Sequence, residues 1–165
     1  MALDGTTLEA ADTPANRAGL SGPKPKLRGQ GPVGYPAARL AVLIESGTHT
    51  VVDAEAGPWS TGERALAEPL LRSLRPGMLL LADRGFPGVT LMRAMAGTGT
   101  HLLWRVNGLW KLAPEQVLAD GSWLSTARHD TGPRKDRGSI RLRVVEYVLD
   151  DPGRDHTVHY RLVTV

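Results

Sequence analysis

Residues 60–106 alternate helical and strand patterns, and this alternation constrains the fold more than any other feature of the chain. Leu66, Leu70 and Leu74 recur at four-residue spacing, which places them on one face of a helix. Residues 78–82 and 101–106 form short apolar runs typical of buried strands, and we expect the first run to be covered on both faces. Because a second helical pattern separates the two runs, the sequence predicts an α/β fold.

The boundaries of the helix that carries Leu66 can also be predicted. Ser60 followed three residues later by Glu63 fits a capping box, which marks the start of a helix. Pro69 predicts a kink, because proline lacks the N–H that the helix needs there. The Pro-Gly pair after Arg75 predicts the end of the helix.

Strand patterns precede this region. Residues 37–45 and 50–54 are rich in apolar and β-branched residues on either side of Ser46-Gly47, so they predict a β-hairpin. Near the amino terminus, Asp4-Gly-Thr-Thr7 combines short polar side chains with a glycine. We expect that sequence to mark the end of a strand or a turn.

A third region follows Asn107. Residues 140–148 and 158–165 alternate polar and apolar side chains, which predicts an antiparallel β region. We expect the last strand to leave an unpaired sheet edge near Val165, suited to pairing with a partner. The division expected from this pattern is a core of residues 1–106 and a β-rich segment of residues 107–165.

Composition restricts the possible classes of protein. Hydrophobic residues make up 41% and charged residues 22%, which is typical of a globular domain. The absence of cysteine excludes disulfides and thiolate metal sites, leaving carboxylates and five histidines as candidate ligands. The net charge of +3 is compatible with a polyanionic partner. No run is long enough for a membrane span and no signal peptide is evident, so we expect a cytoplasmic protein.

Two aspartates are the strongest candidates for chemistry. Asp83 follows the apolar run 78–82, and the carboxyl ends of strands in open α/β sheets commonly bind ligands. The alternative is that Asp83-Arg-Gly85 only forms a turn. Asp4 could supply a second carboxylate, and paired carboxylates suit Mg²⁺, which prefers hard oxygen ligands.

Several motifs in order resemble a known family. Asp4-Gly-Thr-Thr-Leu8, Asp12-Thr-Pro-Ala-Asn16 and Ala82-Asp-Arg-Gly-Phe86, followed by the strand that ends in Trp104-Arg-Val106, are similar to the DDE transposases of the insertion-sequence-four family. The resemblance implies a ribonuclease-H-like mixed sheet with helices, and an antiparallel β insertion after the second catalytic aspartate. Residues 1–106 would then be a partial catalytic core, and residues 107–165 a truncated insertion.

The same resemblance implies the chemistry of the site. Asp4 and Asp83 would be the catalytic and metal-binding residues for Mg²⁺ or Mn²⁺, which would support DNA strand cleavage and transfer at insertion-sequence ends. The third family carboxylate, a glutamate in a later motif, has no match. Glu115 and Glu146 occur in the wrong contexts to replace it, so we expect a fragment that is inactive alone, with both ends clipped.

The resemblance implies that double-stranded DNA is the main partner, both at the transposon ends and at the target. It also implies a transposase homo-oligomer associated with the nucleoid. No membrane contact is expected. Basic residues could contact DNA phosphates, although those in loops have solvation as the simpler alternative. These candidates are Lys24, Lys26, Arg28, Arg84, Arg134, Lys135, Arg137, Arg141 and Arg143.

Other functions stay open. The chain could be a non-catalytic remnant that binds DNA or a transposase subunit. It could also be a metal-dependent nuclease of similar fold whose third carboxylate is Asp53, Asp150 or Asp151. His156 and His159 lack the spacing of a zinc helix. We expect Trp104 to lie in the core, and Trp59 and Trp110 remain candidates for stacking on bases.

Overall fold

A computed structural model describes residues 1–23, 33–128, 138–149 and 158–165. The described residues form an α/β arrangement of two compact units, Met1–Ser73 and Leu74–Val165. Within these ranges, no helix is both long and apolar enough to cross a bilayer.

The N-terminal unit is built on three antiparallel strands in the order β3-β2-β1. The predicted hairpin of β2 and β3 is confirmed, and β3 extends four residues further than predicted. One short helix lies between β1 and β2, and two more follow β3. The elements are β1 (Ala2–Glu9), α1 (Pro14–Leu20), β2 (Ala37–Glu45), β3 (Thr50–Pro58), α2 (Glu63–Ala67) and a 3₁₀ helix (Glu68–Ser73).

Two local predictions in this unit are wrong. The Asp4-Gly-Thr-Thr7 sequence does not end a strand, because Thr6 and Thr7 continue the pairing with β2. Threonine is a good strand former, and here that preference prevails over the turn signal. Helix α2 has Gly62 as its N-cap, with no side-chain capping bond, so the capping box at Ser60 is also wrong.

The predicted helix to Arg75 is shorter and changes type. Leu66 and Leu70 are buried as their spacing predicted. The α-helix nevertheless ends at Ala67, and the next six residues form a 3₁₀ helix with Pro69 in its first turn. The change in helix type takes the place of the kink predicted at Pro69.

The C-terminal unit is a large mixed sheet with strand order β4-β5-β9-β8-β7-β6. β4 and β5 are parallel, whereas the other neighbours are antiparallel. One helix connects the parallel pair. The elements are β4 (Leu79–Ala82), α3 (Val89–Ala96), β5 (His101–Val106), β6 (Gln116–Val117), β7 (Trp123–Arg128), β8 (Ser139–Leu149) and β9 (Val158–Thr164).

One face of this sheet carries the core of the unit. α3 packs against β5 and β8, and it buries Leu91, Met92 and Met95 as its helical pattern predicted. Trp104 and Val163 are completely buried on neighbouring strands. We call this side of the sheet the covered face.

The opposite side, which we call the open face, differs from expectation. Leu79 and Leu81 are 47% and 37% exposed, while Leu80 between them is fully buried. β4 is therefore covered on one face only, and the prediction of two covered faces is wrong. The continuous apolar run could not distinguish a strand covered on one face from a strand covered on both, because leucine occupies both sides of β4.

The expectation of an unpaired edge near Val165 is also wrong. β9 lies between β5 and β8 and pairs with both. Thr164, for example, is opposite Leu103 on one side and Arg143 on the other. The final strand is therefore an internal strand of the sheet. The sequence could not predict this, because the polar–apolar alternation of β9 does not show that it pairs with the distant strand β5.

Candidate active site

Asp4 lies in the N-terminal unit near the start of β1. It is opposite Val42 in the register with β2, and its side chain is exposed. The Asp4 carboxylate accepts a hydrogen bond from the N–H of Gly5 at 2.8 Å. Asp4 thus offers accessible carboxylate oxygens within a regular antiparallel ladder.

Glu63 approaches β1 from the other side. A Cβ built on Gly5 would lie 3.0 Å from Cδ of Glu63, so the glutamate side chain packs directly on this glycine. Successive residues of a strand face opposite sides of the sheet. Asp4 and Glu63 therefore lie on opposite faces of β1, and Glu63 is not a partner carboxylate for Asp4.

Asp83 lies in the C-terminal unit, immediately after β4. The N–H of Phe86 donates to the Asp83 carbonyl at 3.1 Å, which closes a turn, and Phe86 is buried as its anchor. The Asp83 side chain remains 61% exposed. Asp83 thus begins a turn and also presents an exposed carboxylate directly after β4, the position that the sequence predicted.

The neighbour of this carboxylate is a residue that sequence reasoning missed. Nη1 of Arg105, on β5, lies 3.6 Å from Oδ1 of Asp83. The Arg105 guanidinium carbon also lies 4.6 Å from the centroid of the Tyr160 ring, and Tyr160 stacks on Tyr147 at 5.2 Å. Arg105 lies two residues beyond Leu103, the parallel partner of Leu81. In the sequence, its only signal was its place in Trp104-Arg-Val106, one of the motifs that carry the family resemblance.

Asp53, an alternative third carboxylate, is held by other side chains of the N-terminal unit. Arg72 donates to both of its oxygens, at 2.9 and 2.7 Å, and the Ser73 hydroxyl donates at 2.6 Å. These bonds, with Arg72 the larger cause, lower the pKa of Asp53 to about 2. Asp150 and Asp151 lie outside the described residues.

No group of three or more histidine, aspartate or glutamate side chains suited to a metal occurs within the described ranges. Glu115 is exposed and accepts a hydrogen bond from Thr126 at 3.1 Å. Glu146 is exposed and forms an ion pair with Arg161. Both glutamates therefore lie at the surface and already have a partner.

Three of the predicted DNA-contact residues are described by the structure. Arg84 is exposed beside Asp83, and Arg141 and Arg143 lie on the exposed face of β8. Arg143 is engaged by Asp120 and Ser122. The other candidates lie outside the described residues: Lys24, Lys26, Arg28, Arg134, Lys135 and Arg137.

The structure describes the environment of three tryptophans and one histidine that the sequence analysis singled out. Trp104 is fully buried, which confirms its core assignment. Arg39 lies 4.7 Å from the ring centroid of Trp59, so this tryptophan already has a cation partner. The Trp110 carbonyl accepts a hydrogen bond from Arg161 at 3.1 Å. His159 is exposed, and His156 lies outside the described residues.

Comparison with known proteins agrees with this arrangement of motifs. The chain is 25% identical over 134 residues to the Escherichia coli K12 protein named "Putative transposase InsZ". The match covers 81% of this chain and 43% of that relative, so the chain spans less than half of the relative's length. The model of the family described as "Transposase DDE domain" matches residues 1–157. The chain therefore belongs to the transposase DDE domain family.

Proposed function

We propose that this chain contributes Asp4 and Asp83 to a site that cleaves and joins DNA strands at the ends of a bacterial insertion sequence. The observation that carries the proposal is the exposed Asp83 carboxylate at the carboxyl end of β4, in a chain that matches the DDE family over residues 1–157. A carboxylate at that end of a strand faces the side on which α/β sheets bind ligands.

The two carboxylates suit Mg²⁺ or Mn²⁺ by donor chemistry, since both ions prefer hard oxygen ligands. Each side chain is accessible. The described residues nevertheless lack a group of three acidic or histidine side chains. Asp4 and Asp83 are therefore proposed as two ligands of a site that requires at least one further carboxylate, and when bound the metal would assist phosphoryl transfer.

This requirement leads to a proposal about activity. The 165-residue chain by itself binds divalent metal weakly and does not carry out efficient strand transfer. Glu115 and Glu146 do not compensate, because Thr126 and Arg161 respectively are their partners. The whole reaction, together with target DNA and a homo-oligomer, is proposed only for a protein with the complete set of ligands.

We also infer a ribonuclease-H-like core in residues 1–106 and a β insertion in residues 107–165. The antiparallel order β3-β2-β1 and the parallel pair β4–β5 joined by α3 support this inference. In the second segment, β6, β7 and β8 form successive antiparallel pairs. A cytoplasmic protein associated with the nucleoid would follow from its DNA substrate.

A second candidate is a DNA-binding or subunit-binding protein without catalysis. The exposed arginines of β8 favour it, because side chains that alternate along a strand can follow a phosphate backbone. The third possibility, a nuclease that uses Asp53, is less favoured, since Arg72 and Ser73 already occupy that carboxylate.

The test combines DNA binding with cleavage by the purified chain. Fluorescence anisotropy with a labelled duplex should show affinity that falls as salt rises. With Mg²⁺ or Mn²⁺, we expect no efficient nicking by the wild type or by Asp83→Asn. Glu68→Gln, a change at another exposed carboxylate, serves as the matched control.

The possible outcomes test three claims separately: that DNA is the substrate, that the isolated chain is inactive, and that Asp83 is a catalytic residue. Binding that does not depend on salt, or no binding, would refute the DNA substrate. Metal-dependent nicking that Asp83→Asn abolishes and Glu68→Gln retains would refute the inactivity of the isolated chain while supporting the role of Asp83. Nicking that survives in Asp83→Asn would refute that role.

A further inference from the structure

A row of three side chains leads to Asp83 across the open face of the C-terminal sheet. The Asp83 carboxylate meets Arg105 at 3.6 Å, and Arg105 lies over the Tyr160 ring at 4.6 Å. Tyr160 in turn stacks on Tyr147, with ring centroids 5.2 Å apart and planes inclined by 9°. Carboxylate, guanidinium and two aromatic rings thus form a continuous series.

The strand register explains why these residues share one face. Tyr147 on β8 is directly opposite Tyr160 on β9, and Arg105 on β5 is directly opposite Leu162 on β9. Tyr160 and Leu162 are two residues apart, so their side chains point to the same side of the sheet. The row is therefore assembled from β8 and β9, which follow each other along the chain, and from β5, which is distant from both in sequence.

The contact between Arg105 and Asp83 is weak if taken alone. Its 3.6 Å separation exceeds a normal N–H···O hydrogen bond, and the two side chains are 33% and 61% exposed. Exposed ion pairs of this kind contribute little, because water screens them and both side chains lose freedom. A cation–π contact with Tyr160 supplies a second restraint on the same guanidinium.

We propose that Tyr160 is a positioning residue, which holds Arg105 beside Asp83 so that the guanidinium is the resident counter-cation of this carboxylate. Tyr147 restricts the Tyr160 ring by stacking. The consequence for metal binding rests on the proposed function of Asp83. A divalent cation that approaches Asp83 meets a like charge and has to displace Arg105.

The first experiment needs no metal. NMR of the arginine Nε–Hε groups should show Arg105 shifted upfield by the ring current of Tyr160, with the signal assigned by its loss in Arg105→Gln. Tyr160→Phe keeps the ring and should retain the shift, whereas Tyr160→Leu should abolish it. Tyr147→Leu, at an exposed position, should reduce it. An unchanged Arg105 shift in Tyr160→Leu, with an intact amide spectrum, would overturn the proposal.

The second experiment titrates Mn²⁺ and follows broadening of the backbone amides of Arg84 and Gly85. Apparent Mn²⁺ affinity should rise about threefold in Arg105→Gln and Tyr160→Leu, a size typical of losing an exposed charge contact, and stay at the wild-type value in Tyr160→Phe. Equal affinity in all four proteins would overturn the counter-cation role. No broadening in any of them would refute the metal role of Asp83, while the Nε–Hε shift would still decide whether Tyr160 positions Arg105.

Discussion

Arg72 and Asp53 connect the 3₁₀ helix of the N-terminal unit to strand β3 through two parallel hydrogen bonds of 2.9 and 2.7 Å. Such a paired arrangement fixes both position and orientation of the guanidinium. Ser73, the next residue, donates to the same carboxylate. Since β3 is the outer strand of this unit, the cluster attaches the helix to a strand that, among the described residues, pairs with β2 alone.

We predict that Asp53→Asn lowers the free energy of unfolding by about 1 kcal/mol or less at pH 7, because solvent screens a pair in which Arg72 is half exposed. The pKa of Asp53 is lowered from 3.8 to about 2, so the folded state favours the ionised form. This contribution is fully present above pH 3.8 and is lost as pH falls through about 2.

Urea unfolding of the wild type and Asp53→Asn between pH 7 and pH 2 would measure this linkage. The difference between the two proteins should shrink only below about pH 4. Glu55→Gln is the matched control, because Glu55 accepts one bond from Arg72, at 3.1 Å, and should have a smaller effect. A difference that stays constant to pH 2 would contradict the pKa assignment.

Two glycines with the same positive φ allow a steric contact to be separated from backbone strain. Gly77 and Gly99 both have φ of +82°, but a Cβ on Gly99 would lie 3.0 Å from Cβ of Pro76, whereas a Cβ on Gly77 would meet nothing within 4 Å. We predict that Gly77→Ala costs about 1 kcal/mol from the left-handed conformation. Gly99→Ala should cost at least about 1 kcal/mol more. Denaturant midpoints would measure both, and equal losses would show that Pro76 moves away freely.

Arg141 and Arg143 provide a matched pair for DNA binding. Both lie on the exposed face of β8, but Arg143 donates to Asp120 and to Ser122, the latter at 2.9 Å. Hydrogen bonds from Ser122, the larger cause, and from Arg143 hold the pKa of Asp120 below its ordinary value.

We predict that Arg141→Gln weakens duplex binding and lowers the salt slope by about 1 without changing stability, because Arg141 contributes a positive charge to the exposed face of β8.

Arg143→Gln should instead reduce the thermal midpoint, with a smaller effect on the salt slope, because its charge is already engaged. Anisotropy titrations at several salt concentrations, together with thermal melts of both variants, would test this division. Equal salt slopes for the two variants would show that the ion pair with Asp120 does not reduce the contribution of Arg143 to DNA binding.

The sequence predicted elements whose signals are local. The helix of Leu91, Met92 and Met95 and the strand that ends just before Asp83 were both found as expected. Pairings between distant segments could not be predicted, because alternation along a strand defines its two faces but not its neighbours. The insertion of β9 between β5 and β8 is such a pairing.

The candidate site shows the same division. Asp83 was identifiable from its place after a strand. Arg105 could be recognised as its neighbour only from the structure, because the parallel pairing of β4 and β5 brings the two side chains together. Tyr160 joins them through the register of β9, which no motif encodes. Spacing likewise placed a capping box at Ser60, but the fold begins α2 at Glu63 with Gly62 as its N-cap.

Trp104 provides a test of how the core of the C-terminal unit tolerates a buried polar atom. The residue is completely buried, and its Nε1 has no hydrogen-bond partner among the described residues. A buried N–H without an acceptor is destabilising, so removing it offsets part of the loss of apolar contact.

We predict that Trp104→Phe costs about 1–2 kcal/mol, whereas Trp104→Ala costs about 3–5 kcal/mol from the cavity it leaves. Urea unfolding monitored by circular dichroism would measure both. If Trp104→Phe were as damaging as Trp104→Ala, the indole N–H would have to be making a stabilising contact, and the core around β5 would depend on that group.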